Sequence, residues 1–299
     1  MAGIGFELKR IFKKESLGSV LSGAIYSTVV VIGPTLIVML TLLLLYGLLG
    51  FMEIPYTDRE LLSGAILYIF IFAVILTTPI NTVMSRYVAD RLFEEEFEDI
   101  LPSFYVGLLI CQVLGAVIGI PFLLRLIYVG KVECFFVAIM YIFFMAIITA
   151  FFTLTYLSAT KDYKLIAIDF FVGMVIAFAV AYVARKICHV SLIYAILGGL
   201  CIGFCCIALA LVSYVRHYFR VSNKSYTKCL SYFKNMKRLF FGSLFYILGI
   251  YVHNFIFWGT EGHLVVAKSF YTFQSYDMAA CLGMFTSISC MVIFTVMSE

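Results

Sequence analysis

The side chains in this sequence with the means to do chemistry are few, and nearly all sit among apolar neighbours. Asp169 stands in LIAIDFFVG. An acid placed there can accept hydrogen bonds from a polar cargo or titrate during coupling to an ion gradient, and ionisable groups within membrane spans are costly enough to mark function. The structural alternative is pairing with Lys161 or Lys164, or reaching the interface. His253 and Asn254, in IYVHNFIFW, present donors and acceptors to a polar cargo, or else bond across helices as packing contacts. Asn81, beside Pro79, and Gln112 are candidates of the same kind. Tyr251, with Tyr26, Tyr68, Tyr141 and Tyr246, adds amphipathic rings with a flat apolar face and a hydroxyl, although Tyr also populates membrane-interface belts. Together these define transport-path candidates Asp169, His253, Asn254, Asn81, Gln112 and Tyr251.

Catalytic chemistry has no comparable support. Neither a metal-ligand spacing such as HExxH nor a phosphate-cradling GxxxxGK[ST] occurs, so neither metal, cofactor nor enzyme activity is expected. Glu261 and His263 lie two residues apart in a loop, which does not make a metal site. The nine Cys form no CxxC pair and read as packing residues; Cys201, Cys205 and Cys206 cluster on one helix.

The elements that must position these residues are membrane helices. With 64% hydrophobic residues, 13% charged residues and a mean hydropathy of +1.07, the chain cannot cover itself with a wetted surface. Crossing about 30 Å of hydrocarbon takes roughly 20 apolar residues in a helix, since no backbone group can be left unpaired there. Eight such spans are expected: 19–51, 61–84, 103–127, 134–157, 165–183, 190–215, 239–258 and 278–297. The fold class is therefore all-α and polytopic. With the N-terminus cytoplasmic, 15 of the 21 Lys and Arg fall on the inner side, which makes the net charge of +4 a topology signal and leaves no basic soluble domain for nucleic acid.

Residues 1–18, MAGIGFELKRIFKKESLG, read as an interfacial amphipathic helix on the cytoplasmic surface. Gly33-Pro34 in the first span and Pro79 in the second are hinge candidates, because proline removes a backbone hydrogen bond and crowds the preceding turn. RYVADRLFEEEFEDILPSF, 86–104, predicts a short amphipathic cytoplasmic helix whose Glu94, Glu95 and Glu96 are partner-docking candidates, or else a solvated connection. The basic connector 216–238 divides a first six-helix bundle, 19–215, from the start of a second, 239–299. An internal echo supports that division. Shifting the sequence by 219 places Gly23 on Gly242, Tyr26 on Phe245 and Asp58 on Asp277, while TVMS at 82–85 and 295–298 matches at 213. One six-helix bundle plus the first two helices of another implies a chain cut short of about four spans.

MAGIGFELKRIF, Gly33-Pro34, RYVADRLFEEEFEDILPSF, LTYLSATKDYKLIAIDFFVG and GSLFYILGIYVHNFIFWGTEG resemble the PelG family, the inner-membrane transporter of the Pel exopolysaccharide system. The resemblance covers essentially the whole chain. It implies a member of the multidrug/oligosaccharidyl-lipid/polysaccharide exporter superfamily, with two six-helix bundles around a central cavity and about 12 spans. It also implies export of an N-acetylgalactosamine-rich polymer across the bacterial cytoplasmic membrane for biofilm matrix, beside a cytosolic glycosyltransferase and other Pel membrane proteins. Two other functions stay open: an ion-coupled drug or cation antiporter of the same superfamily, and a non-transporting scaffold for the polysaccharide synthase.

Overall fold

The computed structural model describes residues 17–160, 163–220, 222–223, 226–273, 275–280 and 283. Eight α-helices follow in chain order: α1 Leu17–Leu48, α2 Tyr56–Phe93, α3 Ile100–Tyr128, α4 Cys134–Thr160, α5 Tyr163–Lys186, α6 Leu192–Tyr218, α7 Lys228–Asn235 and α8 Lys237–Trp258. Two short strands, β1 Leu264–Val266 and β2 Phe270–Thr272, come after α8. Among the described residues, six helices are long and apolar enough to cross a membrane, and Gly33–Leu48 of α1 is a shorter apolar helix. The protein is an all-α, multi-pass membrane protein. The expected interfacial helix over 1–18 and the eighth span over 278–297 fall almost wholly outside the described residues.

α2 and α4 form the centre, with α3 and α8 against α2, α6 against α4 and α5, and α5 against α1. The tightest seam is α5–α6, built from small residues. Gly199 and Gly203, one turn apart, face Gly173, Ala177 and Ala181, so closely that a Cβ on Gly203 would lie 2.6 Å from that of Ala177. Small residues at four-residue spacing let helix backbones approach where lipid supplies no hydrophobic drive. The large aromatic residues fill the α2–α4–α6 centre instead: Phe143, Phe152 and Phe204 are fully buried, and Phe70 meets Phe143 and Phe204 edge to face.

Two expectations are corrected. The acidic stretch after the second span is not a separate amphipathic helix. α2 runs on to Phe93 because Arg86 pairs with Asp90 one turn later at 3.0 Å and because Tyr87 and Val88 remain buried. It then closes in a turn where Glu95 has φ 59° and Arg91 pairs with Glu94 at 2.6 Å and with Glu96. The connector 216–238 is not a plain loop, since it carries α7. The all-α fold also carries one short antiparallel hairpin, with Val265 opposite Tyr271. Gly33-Pro34 and Pro79 lie inside helices that continue through them. Around Pro79 the hydroxyls of Thr77, Thr78 and Thr82 bond to carbonyls of Ala73, Val74 and Thr78 at 2.7–2.8 Å, local polar partners for a helix that proline deprives of one backbone bond.

The connections sort onto two faces. Those after α2 and α6 meet on one, the connector face; those after α1, α3, α5 and α8 meet on the other, the hairpin face.

Candidate functional site

Polar chemistry gathers at the hairpin face around Asp277. Asn254 and Trp258, one turn apart on α8, project from the same side of that helix and are both buried. The Asn254 amide donates to Asp277 Oδ1 at 2.9 Å, and the Trp258 indole N–H donates to both carboxylate oxygens at 3.1 and 3.2 Å. The backbone N–H of Phe273 donates to Oδ2 at 3.0 Å. A carboxylate with three donors is well satisfied in an apolar setting. Two atoms beside it are not: Asn254 Oδ1 and His253 Nδ1 are buried without a hydrogen-bond partner, and the His253 ring meets Tyr276 edge-on at 5.6 Å.

The hairpin is pinned into this cluster through Tyr68 of α2. The Tyr68 hydroxyl donates to the carbonyl of Tyr271 and accepts from its N–H, both at 2.9 Å. Its ring stacks on Trp258 at 4.7 Å and meets Phe270 edge to face at 5.0 Å. Ala267 and Lys268 at the hairpin tip have φ 46° and 51°, a left-handed pair that normally calls for Gly or Asn. The surroundings hold it there: Arg125 donates to the Lys268 carbonyl at 3.4 Å, and Gly130 lies so close that a Cβ would meet the Ala267 carbonyl at 2.6 Å. Beside the hairpin, a cavity of about 590 Å³ opens between the start of α2, the α3–α4 and α5–α6 turns and β1.

The other candidate residues are dispersed. Asp169 is half-buried on α5, within reach of the Tyr214 hydroxyl on α6, and its Oδ2 is buried without a partner. It makes no ion pair among the described residues; Lys161 lies outside them, and Lys164 is exposed. Asn81 donates from α2 to the Phe151 carbonyl of α4 at 3.2 Å, leaving its own Oδ1 buried and unpartnered. Gln112 of α3 donates to Thr149 Oγ1 at 2.7 Å and to the Met145 carbonyl of α4 at 3.2 Å, so it is a cross-helix bond. Tyr251 packs half-buried against the core. His253 and Asn254 are thus the two path candidates that the fold brings together with other polar groups. Sequence reasoning missed Asp277, Trp258 and Glu60 as site residues. The shift of 219 had paired Asp277 with Asp58, but only as a repeat match.

On the connector face, the acidic turn and the basic connector bind each other. Asp99 is 1% exposed and accepts from Lys228 Nζ at 2.7 Å and from the Asn223 amide; the Asn223 N–H donates to the Glu98 carbonyl at 3.1 Å. Tyr232 of α7 meets Tyr87 edge-on at 4.8 Å and donates to Asp90 at 3.3 Å. The Asp99 carboxylate holds the Lys228 ammonium above the usual lysine range. Glu94 and Glu96 are spent on Arg91, which leaves Glu95 as the exposed docking candidate whose carboxylate enters neither pair.

Neither the curated proteins nor the solved structures contain a match to this sequence. The family comparison does: residues 1–299 match the family described as "PelG: Putative exopolysaccharide Exporter (EPS-E)". A match over that whole range, on a multi-pass helical fold with polar groups held between helices and under a hairpin, places the chain in the PelG family of exopolysaccharide exporters.

Proposed function

We propose that this protein exports an N-acetylgalactosamine-rich, Pel-type polysaccharide across the bacterial cytoplasmic membrane, with the connector face cytoplasmic and the hairpin face outside. It acts without catalysing a reaction, beside a cytosolic glycosyltransferase and other Pel membrane proteins, and the polymer serves the biofilm matrix. The family match over residues 1–299 carries this proposal. The geometry supports it through aromatic rings and uncharged polar groups, Tyr68, Trp258, His253 and Asn254, gathered at one face. Hydroxyl-rich chains are bound by such rings and amides. Orientation rests on the excess of Lys and Arg on the connector face.

A second function, ion-coupled antiport, gains support from Glu60 and Asp277, two further carboxylates beside apolar helices in addition to Asp169. Differential ion binding to two conformations is what such coupling requires. The synthase-scaffold function loses surface, because the acidic turn and the connector occupy one another.

The cellular test uses a strain that synthesises the polymer and lacks this protein. Export predicts polymer retained in the cytoplasm or synthesis stalled, with secretion restored by the full-length protein; normal secretion in its absence would sink the proposal. Transport of a drug or cation into inverted vesicles on an imposed proton gradient separates the two functions, since antiport requires it and polymer export alone does not.

A further inference from the structure

The cavity beside the hairpin is built around an unpaired acid. Glu60, one turn into α2, is 6% exposed and lines the cavity, yet it makes no hydrogen bond or ion pair among the described residues. Arg59, its sequence neighbour, and Asp277 both act on it electrostatically. Arg59 is turned elsewhere, with Nη1 on the Met52 sulfur at 3.2 Å. The Glu60 oxygens are not sealed off but open on the cavity, where a ligand that brings its own donors can take the place of water.

The rest of the cavity states what kind of ligand that is. Its volume of about 590 Å³ lies within the roughly 300–1,000 Å³ usual for small-ligand sites. Two other acids, Asp58 and Glu133, line it against a single Lys131, so the lining is net negative. Tyr194 supplies a ring wall and donates its hydroxyl to Glu133, which fixes both groups in place. Flat ring surface next to fixed carboxylate acceptors suits a pyranose, whose axial C–H face packs on a ring while hydroxyl or amino groups donate at its edge. An anionic ligand is disfavoured by the same charges.

We propose that this cavity is a saccharide-binding vestibule on the hairpin face, in which Glu60 accepts hydrogen bonds from sugar hydroxyl or amino groups. The proposal rests on the export function and adds to it a site through which the chain leaves, adjoining the Asp277 cluster and separate from Asp169. A sugar entering the cavity would replace water as the donor to Glu60 and leave it to water, or to the next residue of the polymer, when it moves on.

The test is a titration of the purified full-length protein in nanodiscs with three tetrasaccharides: N-acetylglucosamine tetramer, its fully de-N-acetylated glucosamine counterpart, and maltotetraose. Binding of at least one of them is expected, weakened about tenfold or more in Glu60→Gln, consistent with loss of hydrogen bonds to a charged acceptor. Tighter binding of the glucosamine tetramer assigns the donor as an ammonium; equal binding assigns it to hydroxyls. Because Glu60→Gln can also perturb folding, Ser191→Tyr provides an independent obstruction that leaves Trp258 the sole tryptophan: Ser191 lines the cavity at the start of α6, away from Glu60 on α2, and caps nothing with its side chain. It too is expected to abolish binding, with Trp258 fluorescence reporting an intact cluster. Unchanged binding in both variants overturns the vestibule. So does absence of binding by all three sugars and by polymer recovered from cells, when the same preparation exports polymer in vesicles; loss of export as well would instead count against the function on which the proposal rests.

Discussion

Asp277 concentrates more polar contacts than any other acid on the hairpin face, accepting from Asn254, Trp258 and the Phe273 backbone. Asp277→Ala strands two buried side-chain donors, each worth about 1–3 kcal/mol when left unpaired. The outcome expected is a lower Tm and a shifted emission from Trp258, the sole tryptophan; unchanged emission would show that the carboxylate does not hold the indole. Gln112→Leu removes two bonds between α3 and α4 and should cost only about 1 kcal/mol, at about 0.6 kcal/mol for each such bond within a membrane, with export retained. A large loss of export at normal stability would restore Gln112 to the transport path. Asp169, His253 and Asn254 were legible in sequence because a polar group inside an apolar run is conspicuous. Asp277 and Glu60 were not, since SYDMAA and YTDRELL look like solvated ends of spans. Glu60 is buried through contacts between α2 and a hairpin some 200 residues later in the chain, and periodicity carries no trace of such contacts.

Between elements, the α5–α6 seam and the connector latch make opposite demands. Gly203→Val pushes a branched side chain against Ala177 and the Gly173 carbonyl, 2.7 Å from where a Cβ would stand. A cost of about 1–3 kcal/mol and poor recovery of folded protein are expected, whereas Gly198→Val, with nothing within 4 Å of its Cβ, should be tolerated. At the latch, Lys228→Met should harm more than Asp99→Asn. It leaves a buried carboxylate without its cation, while the reverse leaves a lysine that is half exposed to water. The pH dependence follows from the raised value of Lys228 in the folded protein. Its contribution is fully present below the ordinary lysine value of about 10.4 and is lost as pH rises through the higher folded value. Protease cutting of the connector in wild type should therefore increase at strongly alkaline pH, and again in acid as pH falls through the depressed value of Asp99, and Lys228→Met should be cut readily at neutral pH; equal resistance of the two would remove the latch. Spans two to seven were legible from hydropathy alone, with the extension of α2 the main surprise. There a charged, amphipathic segment stays helical because Tyr87 and Val88 find buried contacts, Tyr87 against Tyr232 of α7.

Across the whole molecule, two faces of different character are separated by apolar helices. One carries the basic connector tied to the acidic turn, and the other carries the hairpin, the Asp277 cluster and the cavity. The alternation of connections between them was legible from the count of spans and the distribution of Lys and Arg. The hairpin was not, because three-residue strands fall below any useful hydropathy window. If the hairpin face is the exit, then in a background where exposed Cys134 and Cys188 are replaced by Ser, a cysteine at exposed Val265 should react with an impermeant maleimide in intact cells or spheroplasts, whereas one at exposed Glu95 should react only in inverted vesicles. The most direct measurement of export uses inverted membrane vesicles that contain the full-length protein and the synthase, fed labelled UDP-N-acetylgalactosamine and then treated with a glycosidase. Polymer protected inside the lumen, and left unprotected when this protein is omitted, is the result predicted. Polymer that is made yet remains fully digestible with the assembled protein present would contradict it.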